Sequence, residues 1–387
     1  MKTTGKSLPN LTTVSLVLIL VALRLALAGY GHAPLPRSNP RNAYPWEPAP
    51  TPAKVAPEQP QPAEEIAPTN TAPPSSEDEA APPAPTPAAE QIPVATPSPK
   101  IKYKAGEDPE FARQNGWPVK GPEPLPGAIL PNKRIVAFYG NPLSWRMGVL
   151  GKASKEEMLQ RLQQEMDQWK AADPSRQVQP ALHLIAVTAQ PTSGTAGKYR
   201  MIMPDKIVEQ VYAWAKEANA LLFIDIQTGH DDIRELLPRF EWILKNPDVH
   251  LGIDPEFHLI KSGAVPGTRI GSLDAEEVNY VTGYLRELVH KYELPPKILT
   301  VHRFTQKGVT NASEIALNPE VQVVMHMDGW GAPWLKRDTY KRYIVAEPVQ
   351  YAGFKLFYRN DTKKGDRLMT PEEVLKLNPK PLYIQYQ

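Results

Sequence analysis

From Arg134 onward, short runs rich in β-branched and apolar residues alternate with longer segments of helical periodicity. The β-rich runs predict eight strands: Arg134–Gly140, Gln179–Thr188, Leu221–Gln227, Val249–Asp254, Lys297–Phe304, Val321–Asp328, Gly353–Tyr358 and Pro381–Tyr386. Strands that alternate with helices favour a parallel sheet. Eight of them favour closure into a (β/α)8 TIM-type barrel over an open, doubly wound sheet.

The segments between these runs predict the helices of the barrel. A capping box at Ser154 and Glu157 opens an amphipathic segment that extends to about Ala172. The other predicted helices are Asp205–Ala220, Ile233–Lys245, Asp274–Tyr292, Ala312–Leu317, Leu335–Tyr343 and a short one capped by Thr370. The sequence stops at the eighth strand, so the usual last helix is missing, and residues 107–130 are expected to cover that gap.

The N-terminus resembles an export signal. Lys2 and Lys6 precede an apolar run from Leu11 to Leu23, and Ala26-Leu27-Ala28 matches a small-x-small cleavage pattern. The run is short for a membrane span, which needs about 20 residues. Residues 1–28 are therefore predicted to be either a cleaved signal peptide or an uncleaved membrane anchor, which places the protein outside the cell or in the cell envelope.

Residues 29–105 have a different composition from the rest of the chain. Of the 44 prolines, 20 lie between positions 34 and 100, among Ala, Glu, Thr and Ser. Such a segment buries too little apolar surface to offset the entropy of ordering, and it favours extended conformations. It is predicted to be a disordered tether, and residues 106–387 are predicted to form the barrel domain.

Composition and motifs exclude several classes of function. The net charge is only +2 and no basic block interleaves with aromatic residues, so nucleic acid is not an expected partner. Cysteine is absent, which excludes disulfides, thiolate catalysis and zinc–thiolate sites. No glycine-rich phosphate loop and no Gly-x-Ser-x-Gly motif is present, and no cofactor is predicted.

Polar residues cluster where the predicted strands end. Barrel enzymes carry their active residues at these ends, and residues two apart in a strand share a side. The candidates in chain order are Tyr139, Asn141, His183, Asp225, Gln227, Asp254, Glu256, His302, His326 and Asp328. The seventh strand offers either Lys355 or Tyr358. Because buried ionisable groups are costly, this many of them favours a polar cleft at one mouth of the barrel.

The sequence Asp254-Pro255-Glu256 offers two carboxylates directly after a strand. Glycoside hydrolysis needs one protonated and one ionised carboxyl, and burial with mutual repulsion separates their pKa values. Glu256 is predicted to be the general acid, with Asp328 or Asp254 as its partner. Asp225 fits a helix cap equally well, and His183 fits an interior histidine.

Tryptophans in two loops fit a sugar substrate. Trp145 follows the first strand, and Trp330 and Trp334 follow the sixth. Their flat apolar faces with a polar edge suit a carbohydrate, although packing of loops onto the barrel rim explains them equally well. The expected partner is a carbohydrate or cell-wall glycan, together with the membrane if the N-terminal segment is retained.

Two other functions remain open. A metal-dependent hydrolase would use His302, His326 and Asp328, although the His-x-His expected after the first strand is replaced by Tyr139-Gly140-Asn141. A non-catalytic barrel that binds glycan or cell wall would need only aromatic and hydrogen-bonding walls. Paired carboxylates in one cleft would distinguish a glycosidase from both of these alternatives. For the glycosidase, no metal ligand is predicted.

Several motifs resemble a group of exported bacterial proteins whose barrels are similar to glycoside hydrolases. They are Tyr139-Gly140-Asn141-Pro142-Leu143, Met147-Gly148, Leu150-Gly151, Asp254-Pro255-Glu256, Val301-His302-Arg303-Phe304 and Met327-Asp328-Gly329. The resemblance covers about Arg134–Gln387 and implies a TIM-type barrel. It implies no particular reaction, so the proposed catalytic roles rest on the residues themselves.

Overall fold

The computed structural model describes residues 101–387. The predicted signal or anchor, residues 1–28, and nearly all of the predicted tether lie outside these residues. Within residues 101–387, no helix combines the length and apolar character that a bilayer crossing requires.

The described chain forms a closed barrel of eight parallel strands with helices between them. In chain order the strands are β1 (Lys133–Gly140), β2 (Gln177–Ala189), β3 (Arg200–Ile202), β4 (Leu221–Ile226), β5 (Val249–Ile253), β6 (Leu273–Asp274), β7 (Lys297–Arg303), β8 (Val309–Thr310), β9 (Val321–Met327), β10 (Tyr351–Leu356) and β11 (Tyr383–Tyr386). The barrel closes because β1 pairs with both β2 and β11. The predicted fold class is therefore confirmed, and all eight predicted strands are present. The short strands β3, β6 and β8 lie outside the barrel wall.

The helices largely follow the predicted segments. They are α1 (Pro109–Gln114), α2 (Lys155–Ala172), α3 (Asp205–Glu217), α4 (Ile233–Leu236), α5 (Glu241–Leu244), α6 (Ala275–Lys291), α7 (Pro333–Tyr340) and α8 (Pro371–Val374). Ser154 caps α2, while full capping boxes begin α6 at Asp274 and α8 at Thr370.

Three predicted helices differ from the observed structure. The segment Ile233–Lys245 is divided by a 3-10 helix at Leu237–Phe240, where Pro238 supplies no backbone donor. Ala312–Leu317 is only a 3-10 turn over Ala312–Glu314. After α7 the chain continues as a π-helix over Lys341–Val345.

The expectation that residues 107–130 replace the missing last helix is wrong. The Trp117 indole donates to the Val345 carbonyl at 3.0 Å, and Glu107 pairs with Arg337 at 3.1 Å, so this segment packs beside α7. Helix α2 instead reaches the last strand, where the Trp169 indole donates to Tyr386 Oη at 2.9 Å.

The segment before β1 closes the N-terminal end of the barrel. Leu130 is fully buried there, and its backbone N–H and carbonyl bond the side chain of Gln322 at 3.1 and 2.6 Å. Leu130 belongs to a buried cluster that we call the lower interior: Leu130, Ile135, Ala137, Ala181, Leu221, Phe223, Ile298, Val324, Leu382 and Tyr383. This half of the barrel is packed core, so polar chemistry is confined to the C-terminal half.

Candidate functional site

The C-terminal half of the barrel is filled by polar side chains, which we call the upper interior. They are Tyr139, His183, Asp225, Asp254, His302, His326, Asp328 and Lys355. Each is at most 5% exposed. They alternate with outward apolar residues, as on β9, where Val323, Met325 and Met327 join the core outside the barrel. The structure thus brings together seven of the ten strand-end residues that the sequence singled out, whereas Asn141, Gln227 and Glu256 lie outside this set.

Asp225 lies at the centre of the upper interior. Its Oδ2 accepts a 2.8 Å hydrogen bond from Tyr139 Oη, while Oδ1 lies 3.3 Å from His183 Nε2 and 3.5 Å from His302 Nε2. Burial opposes ionisation, but His302, His183 and the Tyr139 hydroxyl outweigh it and keep the pKa of Asp225 below its usual value. The helix-capping alternative for Asp225 does not apply, because Asp232 caps α4.

Gly252 on the neighbouring strand makes room for this arrangement. A Cβ atom at position 252 would lie 2.4 Å from His183 Nε2 and 2.6 Å from Asp225 Oδ1. Such distances are far inside van der Waals contact, so any side chain would displace one of these groups. The glycine is therefore a steric requirement of the site.

The remaining ring nitrogens of the two histidines are held from the other side. His302 Nδ1 lies 2.7 Å from Asp328 Oδ2, and Lys355 Nζ lies 3.0 Å from Asp328 Oδ1. His183 Nδ1 contacts Tyr383 Oη at 2.5 Å and Gln385 Nε2 at 3.0 Å. These contacts fix the orientation of both imidazoles.

Strands β10 and β11 supply residues that the sequence reasoning left open or missed. Lys355 faces inward with its Nζ 4.0 Å from the centre of the Tyr139 ring, whereas Tyr358 faces outward and donates to Glu165 at 2.6 Å. Tyr383 and Gln385 were not predicted, although their alternation with Ile384 and Tyr386 was a signal for inward polar residues.

The loop after β5 carries the two candidate carboxylates. Gln227 Nε2 donates to Asp254 Oδ2 and the backbone N–H of Glu256 donates to Asp254 Oδ1, both at 3.2 Å. Burial, together with the charges of Asp225 and Asp328, outweighs His302 and Lys355 and raises the pKa of Asp254 to about 7.

Glu256 and Asp328 are shifted in opposite directions. Burial, followed by the charges of Asp254 and Asp328, raises the pKa of Glu256 well above its usual value. Burial also opposes ionisation of Asp328, but Lys355 and His302 outweigh it and lower the pKa of Asp328. The surroundings therefore favour the protonated form of Glu256 and the ionised form of Asp328, each relative to an ordinary carboxyl.

His326 differs from the other two histidines. Both of its ring nitrogens are buried without a hydrogen-bond partner, and burial keeps its pKa well below the usual value. Its ring packs edge-on against His302 at 4.9 Å. The structure therefore does not favour His302, His326 and Asp328 as a set of metal ligands. Within residues 101–387, the ligand atoms that lie within 4.8 Å of one another belong to His183, Asp225 and His302.

Two predicted substrate-binding amides are occupied by protein groups. Asn141 donates to the Ile185 carbonyl and accepts from the Leu143 N–H, both at 2.9 Å. Gln227 accepts from the Ala189 N–H at 3.1 Å in addition to its bond with Asp254. These amides hold loops and position a carboxylate.

The tryptophans lie in the loops at the same end of the barrel. Trp145 is 58% and Trp334 is 65% exposed, while Trp330 is partly buried. A fully buried pair, Lys336 and Asp361 at 3.0 Å, anchors the second loop: Lys336 donates to the Gly329 carbonyl at 2.7 Å. The segment that leads from Gly329 to Trp334 is therefore held in place at its base.

A cavity of about 450 Å³ lies beside the loop that carries Glu256. It is lined mainly by charged and hydroxyl side chains, among them Arg234, Lys261, Ser262, Arg269 and Ser272. Its wall is tied to the candidate acid, because the Gly271 N–H donates to the Glu256 carbonyl at 2.6 Å.

Comparison with known proteins adds no assignment. No protein-family model matches the chain, and no curated protein is significantly similar to it. A function must therefore be argued from the side chains at the mouth of the barrel.

Proposed function

We propose that this protein is an exported or cell-envelope hydrolase that cleaves glycosidic bonds in a polysaccharide or cell-wall glycan. Glu256 is the general acid and Asp328 is its ionised partner. The observation that carries the proposal is that Glu256 and Asp328 follow two strands at the same end of a closed barrel, and the opposite shifts of their pKa values support it. Export rests on the signal-like sequence of residues 1–28.

The roles follow from the protonation states. Glu256, whose pKa is raised, carries the proton that it donates to the leaving glycosidic oxygen as the glycosidic C–O bond breaks. Asp328 stays ionised beside Lys355 and His302, and its negative charge stabilises the positive charge that develops on the sugar or activates the attacking group. Asp254 is the weaker partner, because a pKa of about 7 leaves it half protonated at neutral pH.

The surroundings of the carboxylates suit a carbohydrate. The exposed faces of Trp145 and Trp334 offer stacking surfaces for sugar rings in the loops that follow β1 and β9. The polar walls of the cavity beside Glu256 offer hydrogen-bond partners for sugar hydroxyls. The cavity adjoins the loop of the proposed acid, and the two tryptophans lie in loops at the same end of the barrel.

Glu256→Gln tests the proposal with the smallest change of shape. It removes the transferable proton, so hydrolysis of a responsive glycan should fall by roughly 10²–10⁴-fold. Release of reducing ends is measured over a panel of polysaccharides and peptidoglycan, with circular dichroism as a check on folding. Glu235→Gln is the matched control, since the Glu235 side chain is 68% exposed and lies on α4.

Two results would contradict the proposal. Full activity of folded Glu256→Gln would remove Glu256 as the acid. Binding of a glycan by the wild-type protein without turnover of any member of the panel would favour the non-catalytic binding function instead.

A further inference from the structure

Three acceptor atoms converge at the floor of the upper interior without hydrogen-bond partners. They are Nε2 of His183, Oδ1 of Asp225 and Nε2 of His302, and each residue is at most 1% exposed. The carboxylate oxygen lies 3.3 and 3.5 Å from the two nitrogens. Buried polar atoms almost always have partners, so a positive charge belongs between these three atoms, carried either by protons on the two nitrogens or by a bound cation.

The outer contacts of the histidines can place their protons away from this point. A proton on His302 Nδ1 is donated to Asp328 at 2.7 Å, and one on His183 Nδ1 is donated to Tyr383 Oη at 2.5 Å. The second arrangement requires the Gln385 amide, whose nitrogen lies 3.0 Å from His183 Nδ1, to be turned so that its unpaired oxygen faces the ring. Each Nε2 then presents a lone pair towards Asp225. Two lone pairs and a carboxylate oxygen that face one point repel one another unless a cation lies between them.

We propose that His183, Asp225 and His302 bind one divalent transition-metal ion, with Zn²⁺ as the first candidate. Ligand atoms about 2.0–2.2 Å from a tetrahedral ion lie about 3.3–3.6 Å apart. The two nitrogens lie 3.3 and 3.5 Å from Asp225 Oδ1, within this range. Two imidazoles and one carboxylate form a ligand set that zinc uses in catalytic sites and that also suits other first-row ions.

The groups behind the ligands are those that metal sites require. Asp328 holds the second nitrogen of His302, Tyr383 holds that of His183, and Tyr139 Oη donates to the second oxygen of Asp225 at 2.8 Å. Such partners fix the orientation of each ligand and raise its basicity. Gly252 leaves open the space that a Cβ would fill beside His183 and Asp225.

The metal site goes beyond the proposed glycan hydrolysis and does not depend on it. The ligands come from β2, β4 and β7, and the two hydrolase carboxyls follow β5 and β9; only Asp328 takes part in both, because it also holds His302. Ion binding is measured without any substrate, so the two ideas succeed or fail separately.

The first experiment uses the full wild-type chain. Because the site is buried, the protein is unfolded in denaturant that contains a chelator. It is then refolded in parallel without metal, with Zn²⁺ and with Co²⁺. We expect one equivalent of ion by elemental analysis after dialysis, a higher Tm than that of the metal-free protein, and visible Co²⁺ bands typical of nitrogen and oxygen ligands at low coordination number.

Variants then locate the ion. Asp225→Asn and His183→Gln should each weaken Zn²⁺ binding at least 100-fold, and Asp328→Asn roughly 10–100-fold because it only orients His302. His326→Gln is the matched control: His326 is equally buried and its ring lies 4.9 Å from that of His302, yet Zn²⁺ affinity should stay at the wild-type value.

Failure of the folded wild-type chain to retain either ion would overturn the proposal, and this result needs no variant to fold. Retention that is unchanged in both folded Asp225→Asn and folded His183→Gln would also overturn it, because the ion would then lie elsewhere.

A chain that binds the ion but hydrolyses no glycan supports the metal site and removes the proposed function. Glycan hydrolysis by a chain that retains no ion does the reverse.

Discussion

The same strands build two different interiors at the two ends of the barrel. Towards the N-terminal end, the lower interior is an apolar cluster closed by Leu130. Towards the C-terminal end, the upper interior holds ionisable or phenolic side chains that are buried to nearly the same extent. The difference teaches that this protein separates the part of the barrel that forms an apolar core from the part that holds the candidate site.

The upper interior is maintained by compensation between charges. Asp328 contacts both Lys355 and His302, and these pairs offset much of the free energy of removing the groups from water. The compensation is incomplete, because both nitrogens of His326 remain without partners. Proteins tolerate such local conflicts mainly at functional sites.

The largest effect is expected in the lower interior. Ile298→Ala leaves a cavity under a fully buried side chain, and the free energy of unfolding should fall by about 2–5 kcal/mol. Activity per folded molecule should stay within about twofold, because stability and chemistry lie in different halves. Denaturant unfolding and initial rates measure the two effects. A proportional loss of activity would break the comparison.

A smaller effect concerns the pH dependence of stability. Asp254 has a folded pKa of about 7 against an ordinary value of 3.8, so its contribution to stability is full below pH 3.8 and is lost as the pH rises through 7. The facing charges are those of Asp225, Asp328, His302 and Lys355.

The difference in unfolding free energy between wild type and Asp254→Asn isolates this contribution. In chelator-treated protein, the free energy of unfolding of the wild type should fall relative to that of Asp254→Asn by roughly 2 kcal/mol between about pH 5 and about pH 7. Urea unfolding at several pH values measures the difference. A difference that does not change with pH would show that Asp254 is ionised throughout this range. The environment of Asp254 would then not be as apolar as its burial in the upper interior suggests.

The smallest expected effect has the opposite sign. His326→Leu replaces a buried ring whose nitrogens are unpaired with an apolar group of similar size, so it should stabilise the protein by about 1 kcal/mol. Val324→Thr, two residues earlier on β9, is the reverse control in the lower interior and should destabilise by about 1–3 kcal/mol. Loss of stability in His326→Leu would mean that His326 has a partner in solution.

The sequence predicted the barrel well because its periodicities are local. Every barrel strand lies close to its predicted range, and the capping residues Ser154, Asp274 and Thr370 begin their helices. The predicted helix Ile233–Lys245 is interrupted at Pro238, because the apolar periodicity of the segment does not reflect the backbone donor that proline lacks. The expected packing of residues 107–130 was wrong because it depends on long-range contacts. The contact of Trp117 with Val345, for example, spans more than 200 residues, and no local pattern encodes it.

The candidate site was only partly predictable. Alternation along each strand predicted that Asp225, His302 and Asp328 share one end, but not which oxygen meets which nitrogen. That depends on register across neighbouring strands, such as His302 beside His326. Lys355 was ambiguous because polar and aromatic residues occupy both faces of the seventh barrel strand where it ends.

The absence of a side chain at Gly252 makes this one position diagnostic for a whole lineage. A single methyl group there would occupy the place of the His183 and Asp225 atoms, at 2.4 and 2.6 Å, without altering the strand that carries it. A single codon change from glycine to alanine would thus disrupt the contact of His183 with Asp225 in a related sequence and leave the barrel intact. Glycine or alanine at this position would separate sequences that retain the chemistry from those that keep only the architecture.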